Sequence, residues 1–301
     1  PGVRFEEGYY RSNVSRQADA DTSQPSSGQA GGVIPGIGMV AGTPKANVYG
    51  GLHLGWAPPR ITSPITPPEA GSGQVQQLAA ESSINYEVGT RLTYRRLLHF
   101  EGTAYFIDFD NQVIASSGGS ASAGQTQFVN GGATRHYGVE GGASFGLGEA
   151  LHLKPTAIDL GARYTFARAY FDGGQWNGNW LPYAPAAMLV GTVDVEHRGL
   201  GAQAAWSYVG PQFTDAQNTQ SLDATGRVGK LPSYQALDLA VRYALAGTGL
   251  TFKLAVKDAM NQTFIYALRP DGIHVGGFRQ ILLGVRWDWD AHPPPAPVAD
   301  R

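Results

Sequence analysis

Seven histidines, His53, His99, His136, His152, His197, His274 and His292, are the side chains best suited to proton transfer or metal binding. None stands at a His-x-x-x-His spacing, which would turn two imidazoles of a helix toward one ion. With no cysteine in the chain, thiolate-bound zinc, iron–sulfur clusters, thiol nucleophiles and a disulfide scaffold are excluded. No Gly-x-Ser-x-Gly elbow occurs, and no Gly-Lys-Ser/Thr closes a phosphate loop although there are 41 glycines. No carboxylate dyad stands out, and no resident metal or cofactor is expected. What remains is chemistry of recognition. Gly173–Tyr183, GGQWNGNWLPY, sets Trp176, Asn177 and Trp180 on a glycine-rich frame. Indole faces and amides of this kind stack on a polar ligand and hydrogen-bond to it. Gly124–Asn130, GQTQFVN, offers the amides of Gln125 and Gln127 without charge. Arg60, Arg135, Arg269 and His274 would hold anionic oxygens through charge-assisted hydrogen bonds.

These groups must be carried by a framework, and the composition says which kind. Glycine is about twice its usual ~7% share, aromatics reach 11%, and charged residues only 15% of the 301 positions. The net charge of −2 leaves no basic footprint for nucleic acid. A hydrophobic share of 42% is too high for a disordered chain. No apolar run is long enough for a transmembrane helix. The chain opens on Pro1 without a charged-then-apolar leader, so it is expected to begin mid-protein or after processing. Residues 290–301 are proline-rich and aperiodic and are expected to form a disordered tail.

Alternation with a period of two runs through the rest. In Glu81–Tyr94 one face carries Ile84, Tyr86, Val88, Leu92 and Tyr94, and the other Asn85, Glu87, Gly89, Arg91 and Thr93. Successive strand side chains point to opposite faces, so such segments are strands with one apolar and one polar face. Twelve are expected, near 3–13, 32–42, 46–58, 81–94, 98–110, 135–147, 156–170, 186–197, 201–213, 233–246, 250–258 and 278–289. Most exceed the ~9–11 residues that a tilted strand needs to cross a bilayer. Connections alternate between long (about 16–31, 59–80, 111–134, 171–185, 214–232, 259–277) and short. A transmembrane barrel keeps its long loops on one side in this way. Trp56, Tyr94, Phe106, Tyr208, Trp287 and Trp289 lie near strand ends, where interfacial aromatic girdles form. A soluble sandwich or β-helix would turn the apolar face to a core instead. Against that, Glu87, Arg91, Glu140, Asp159, Arg163, Asp194, Glu196, Asp238, Arg242 and Arg286 share the other face and would line a wet lumen.

Four segments resemble the barrel of TonB-dependent outer-membrane receptors. Glu81–Arg91, ESSINYEVGTR, resembles a strand with an acidic residue followed by Tyr-Glu-x-Gly. Asn47–Pro59, NVYGGLHLGWAPP, resembles a strand ending in an aromatic and prolines at the outer rim. Val256–Phe264, VKDAMNQTF, resembles the penultimate strand, and Phe278–Trp289, FRQILLGVRWDW, the closing one. They occur in family order, and the local wording is nearest to receptors of the ferric-citrate type.

The resemblance implies an all-β fold: an antiparallel transmembrane β-barrel of 22 strands in the bacterial outer membrane, filled by an N-terminal plug. This chain would be its C-terminal half, with residues 1–289 as wall. The plug and the segment that binds TonB would precede Pro1. Twelve residues follow Trp289, whereas family members usually stop at the closing aromatic. The implied function is active uptake of ferric siderophores or similar scarce nutrients, energised by TonB. The implied partners are that ligand, TonB through the absent plug, and outer-membrane lipid. Arg60, Gln125, Gln127, Arg135, Trp176, Asn177, Trp180, Arg269 and His274 would then be ligand contacts. Lumenal charges such as Glu87 and Arg91 would pair with one another or with the plug. Two other readings remain open at this point. Twelve strands could close by themselves into a passive porin or autotransporter barrel. They could also form a membrane hydrolase, for which Ser207 and His197 are the only pair to consider.

Overall fold

A computed structural model of the chain describes residues 1–12, 26–58, 79–95, 97–116, 127–224, 226–269 and 272–289. Twelve strands form one antiparallel sheet in chain order. They are β1 (Gly2–Ser12), β2 (Ser26–Thr43), β3 (Ala46–Ala57), β4 (Glu81–Tyr94), β5 (Leu98–Asp110) and β6 (Thr134–Gly146). There follow β7 (Thr156–Phe171), β8 (Ala187–His197), β9 (Leu200–Val209), β10 (Tyr234–Leu245), β11 (Leu250–Lys257) and β12 (Gln280–Trp287). Each strand pairs with its sequence neighbours, and β1 and β12 remain outer edges. The sheet is thus an open partial barrel. Twelve strands stand where alternation placed them, because a period of two is a local property of the chain.

The differences lie at the long-loop end. The expected strand 201–213 stops at Val209, and Gln212–Phe213 pairs separately with Lys230–Leu231. Val113–Ser116 pairs with Gln127–Asn130, and Ile265–Arg269 with Gly272–Val275. Three connections expected as plain loops therefore carry ribbons of their own. Strand β2 begins at Ser26, earlier than expected, and continues the β1–β2 hairpin upward. The short connection after β6 holds one helical turn, Leu147–Ala150. The proline-rich tail lies outside the described residues.

Register fixes the faces without ambiguity. One continuous row runs Arg91, Glu101, Gly142, Arg163, Val190, Ser207, Ala236 across β4 to β10. Directly paired residues project to the same side, so Glu87, Arg91, Glu101, Glu140, Asp159, Arg163, Asp194, Glu196, Asp238 and Arg242 share one face, while Asp108, Arg135 and Arg168 project to the other at its loop end. Two tyrosines on that face lie over glycines. Tyr49 faces Gly89, and Tyr105 faces Gly138. A Cβ on Gly89 would lie 2.4 Å from the Tyr49 ring, and one on Gly138 would lie 2.7 Å from the Tyr105 hydroxyl. The opposite face is apolar and uncovered: Phe5 is 76% exposed, Val88 60% and Leu283 81%. A soluble fold would hide these groups; a wall in a bilayer leaves them to acyl chains.

Among the described residues, the buried apolar side chains all lie at the long-loop end. They include Ile114, Phe171, Leu181, Phe213, Leu231 and Leu268. The wall itself has no core, since a single sheet layer has nothing to bury one against.

Candidate functional site

Two regions have the chemistry to receive a ligand or partner: the packed rim and the polar wall beneath it. The rim is assembled from loops far apart in sequence. Beyond the first residue of β8, toward the long loops, residues 178–181 take over the edge of β7. Leu181 N–H donates to Ala169 O (2.9 Å), Phe171 N–H to Asn179 O (2.9 Å), and Tyr170 bridges to Trp180. Phe171, fully buried, packs on Trp176 at 5.2 Å between ring centroids, with Ile114, Leu181 and Ala216 around it. The next loop is then clipped on. Asn218 accepts from Trp180 N–H through Oδ1 (2.7 Å) and donates to Trp180 O through Nδ2 (2.8 Å). Asn179 Nδ2 donates back to Ala216 O (2.9 Å). Tyr183 reaches the last ribbon by donating its hydroxyl to Leu268 O.

The clip rests on a turn that occurs twice. Asp215-Ala216-Gln217-Asn218 and Asp258-Ala259-Met260-Asn261 share the pattern Asp-Ala-x-Asn. In both, the aspartate Oδ1 accepts an N–H four residues on, from Thr219 (3.3 Å) or Gln262 (3.4 Å). In both, the asparagine adopts a positive φ, 57° at Asn218 and 53° at Asn261, which asparagine tolerates better than most residues. Each asparagine then holds a different segment: Asn218 the Trp180 loop, and Asn261 Oδ1 the N–H of Arg279 just before β12 (3.1 Å). Asp258 also donates its N–H to Asp238 Oδ1 (3.0 Å), tying the second turn to the wall.

The residues expected to contact a ligand are distributed as follows. Trp176 is half-buried in the rim core. Asn177 Oδ1 accepts from Gly173 N–H (2.8 Å) and closes its own loop. Trp180 stands edge-on to Phe213 at 6.5 Å, with the Arg168 guanidinium 5.1 Å from its ring centre. Arg135 pairs with Asp172 (2.8 Å) and Asp108 (3.7 Å) at the base of the loop. By register Arg135 and Tyr170 project to the outward side, in the row of Ile84. The structure thus brings Arg135, Trp176, Asn177 and Trp180 to one loop. His274 lies on the last ribbon, its ring edge-on to Tyr266 at 6.0 Å. Gln127 and Arg269 have their backbones in ribbons, while their side chains lie outside the described residues, as do Arg60 and Gln125 entirely. Sequence reasoning missed Asn218, Asp215 and Tyr183. The repeated Asp-Ala-x-Asn was the signal that could have revealed the first two.

On the polar wall, charges fall into two groups. Some are paired within the sheet. Arg91 Nε donates to Glu101 (3.0 Å) while its guanidinium lies 4.3 Å from the Tyr49 ring centre. Lys257 pairs with Asp238 (2.6 Å), and Arg242 with Glu196. Glu87, Glu140 and Arg163 have neither a hydrogen bond nor an ion pair among the described residues. Glu140 and Arg163 flank a trough of about 640 Å³ floored by Gly142, Ser144 and Gly161.

The hydrolase reading fails on geometry. Ser207 pairs with Val190, seven positions from His197 along β8, so the two lie about 23 Å apart. They also project to opposite faces, and His197 Nδ1 is engaged with Thr156 Oγ1 (2.7 Å).

Residues 1–258 match the family model described as "TonB dependent receptor-like, beta-barrel". The chain belongs to this family. Members of this TonB-dependent receptor family are transporters and receptors of the outer membrane. Similar solved structures include the ferric citrate transporter FecA in unliganded form (22% identity, 93% of this chain and 41% of that one, TM-score 0.73). The ferric yersiniabactin uptake receptor FyuA from Yersinia pestis is 17% identical over 94% of this chain and 42% of its own (TM-score 0.68). The copper transporter OprC is 16% identical over 94% and 44% (TM-score 0.69). At these identities they establish the shared TonB-dependent receptor barrel fold, and this chain spans about two fifths of their length. No curated protein matches the chain by sequence.

Proposed function

We propose that residues 1–289 form part of the wall of an outer-membrane active-transport receptor for ferric siderophores, energised by TonB through a plug outside this chain. Residues 290–301 would be an appended tail. The observation that carries this reading is the division of wall charges. Glu87, Glu140 and Arg163 face the concave polar side with no partner in the sheet, and a charge held this way wants an opposite charge brought by another body. A plug supplies such groups; a permanently water-filled porin does not require them.

The rim would receive the ligand. Arg60, Gln125, Gln127, Arg269 and His274 would contact it from the loops. Arg135, Trp176, Asn177 and Trp180 would act mainly by shaping the loop that borders it, since each is engaged in holding that loop. Several similar structures are named for ferric chelates and one for copper. The arginines favour an anionic ferric chelate over a bare cation.

The test is deletion of the gene in its host, followed by growth and radiolabelled iron uptake on ferric citrate, a ferric hydroxamate and a ferric catecholate. Loss on one chelate, restored by the gene in trans, is expected. Unchanged uptake of all three would remove the siderophore reading.

A further inference from the structure

On the outward face, one row contains Tyr86, Phe106 and Tyr137 on β4 to β6, and its next member on β7 is Arg168. One step nearer the loops, the row Ile84, Asp108, Arg135, Tyr170 turns polar. Arg168 therefore sits in an aromatic row directly below the one that carries Asp108 and Arg135, the level at which a barrel wall passes from acyl chains to head groups.

A cation at this position of a lipid-facing wall needs an anion or water. Arg135 already serves both nearby carboxylates, Asp172 and Asp108. Arg168 is exposed and has no ion pair or hydrogen bond among the described residues. Its guanidinium lies over the Trp180 ring, 5.1 Å from the ring centre. An arginine stacked on an indole keeps its N–H edge turned outward while losing little rotamer freedom on binding. Trp180 is itself held in place by Asn218 at both its N–H and its C=O, and Tyr170 packs edge-on to Tyr137 at 6.3 Å. The result is a rigid aromatic floor under a guanidinium with no protein anion.

We propose that Arg168, framed by Tyr137, Tyr170 and Trp180, is a binding site on the outward wall for the phosphate head group of a membrane lipid. The guanidinium takes two phosphate oxygens, and the tyrosine and tryptophan rings cover the glycerol or sugar end of the acyl region. This site rests on the placement of the wall in a membrane, not on the identity of the transported ligand.

The test uses the full-length protein extracted from outer membranes in a mild detergent. Dioleoyl phosphatidic acid is the probe, and bound lipid is counted by native mass spectrometry. Arg168→Ala is expected to lower retention about fivefold, the loss of one basic group at an anionic lipid surface. Arg168→Lys should retain an intermediate amount, and Arg242→Ala, on the polar face and paired only within the sheet, should match the wild type. Dioleoylglycerol should not bind selectively, and millimolar inorganic phosphate should not displace the lipid. Equal retention by Arg168→Ala, an equal fall in Arg242→Ala, or displacement by inorganic phosphate would each overturn the site. Recovery of the protein in the soluble fraction without detergent would instead overturn the membrane placement itself.

Discussion

The wall and the rim are built on opposite principles. The wall presents Val88, Leu283 and other apolar residues to its surroundings and has no interior. The rim buries Phe171 and Leu231 almost completely, as a small soluble domain would. In the wall, strand pairing satisfies the backbone and the bilayer satisfies the apolar face. In the rim, water surrounds the loops, so they must bury one another to be fixed at all. The wall therefore tolerates changes of side-chain size but not of polarity. The rim, whose side chains are buried against one another, tolerates neither.

The largest effect should come from the rim. Phe171→Ala removes a fully buried ring, at a cost of about 3–5 kcal/mol. The cost should be local: hydrogen exchange across 169–183 should rise sharply while amides of β4 and β5 stay protected. Loss of protection throughout the wall would mean the two regions are one cooperative unit. Next, Val88→Arg puts a cation on the outward face near mid-strand, costing about 2–4 kcal/mol. Urea titration of the full-length protein refolded into liposomes reads this directly. Arg91→Val, on the polar side, should cost much less, and equal damage from both would break the assignment of faces.

Asn218→Ala takes both clips from Trp180, leaving groups unpaired at about 1–3 kcal/mol. Proteolysis should then cut within 173–183 before the wall is affected, and Asn261→Ala should leave that loop intact because its clip holds Arg279. The smallest change is expected for Lys257→Met, which breaks an exposed pair with Asp238 worth at most about 1 kcal/mol. A larger loss would show that this pair anchors the Asp258 turn to the wall.

The wall was nearly all legible in the sequence. Glu81–Tyr94 and Leu98–Asp110 occupy the expected spans, and Glu87 and Arg91 of the first fall on the face that alternation assigned to them. The rim was hidden. Gly173–Tyr183 has the composition of a ligand-binding loop, yet its Trp176 packs on Phe171 and its Asn177 closes a turn. Nothing local distinguishes a tryptophan offered to a ligand from one set into a core.

By itself, the sequence determined the number of strands, the side to which each residue points and the end that carries the long loops. Those properties follow from a two-residue repeat and from chain connectivity, both readable within a few residues. Only the tertiary structure decided which loop packs on which. It set Asn218 against Trp180, Tyr183 against Leu268 and Arg168 in the aromatic row. Contacts of this kind join positions dozens of residues apart, and they come into being only when the paired strands bring the loops to one rim.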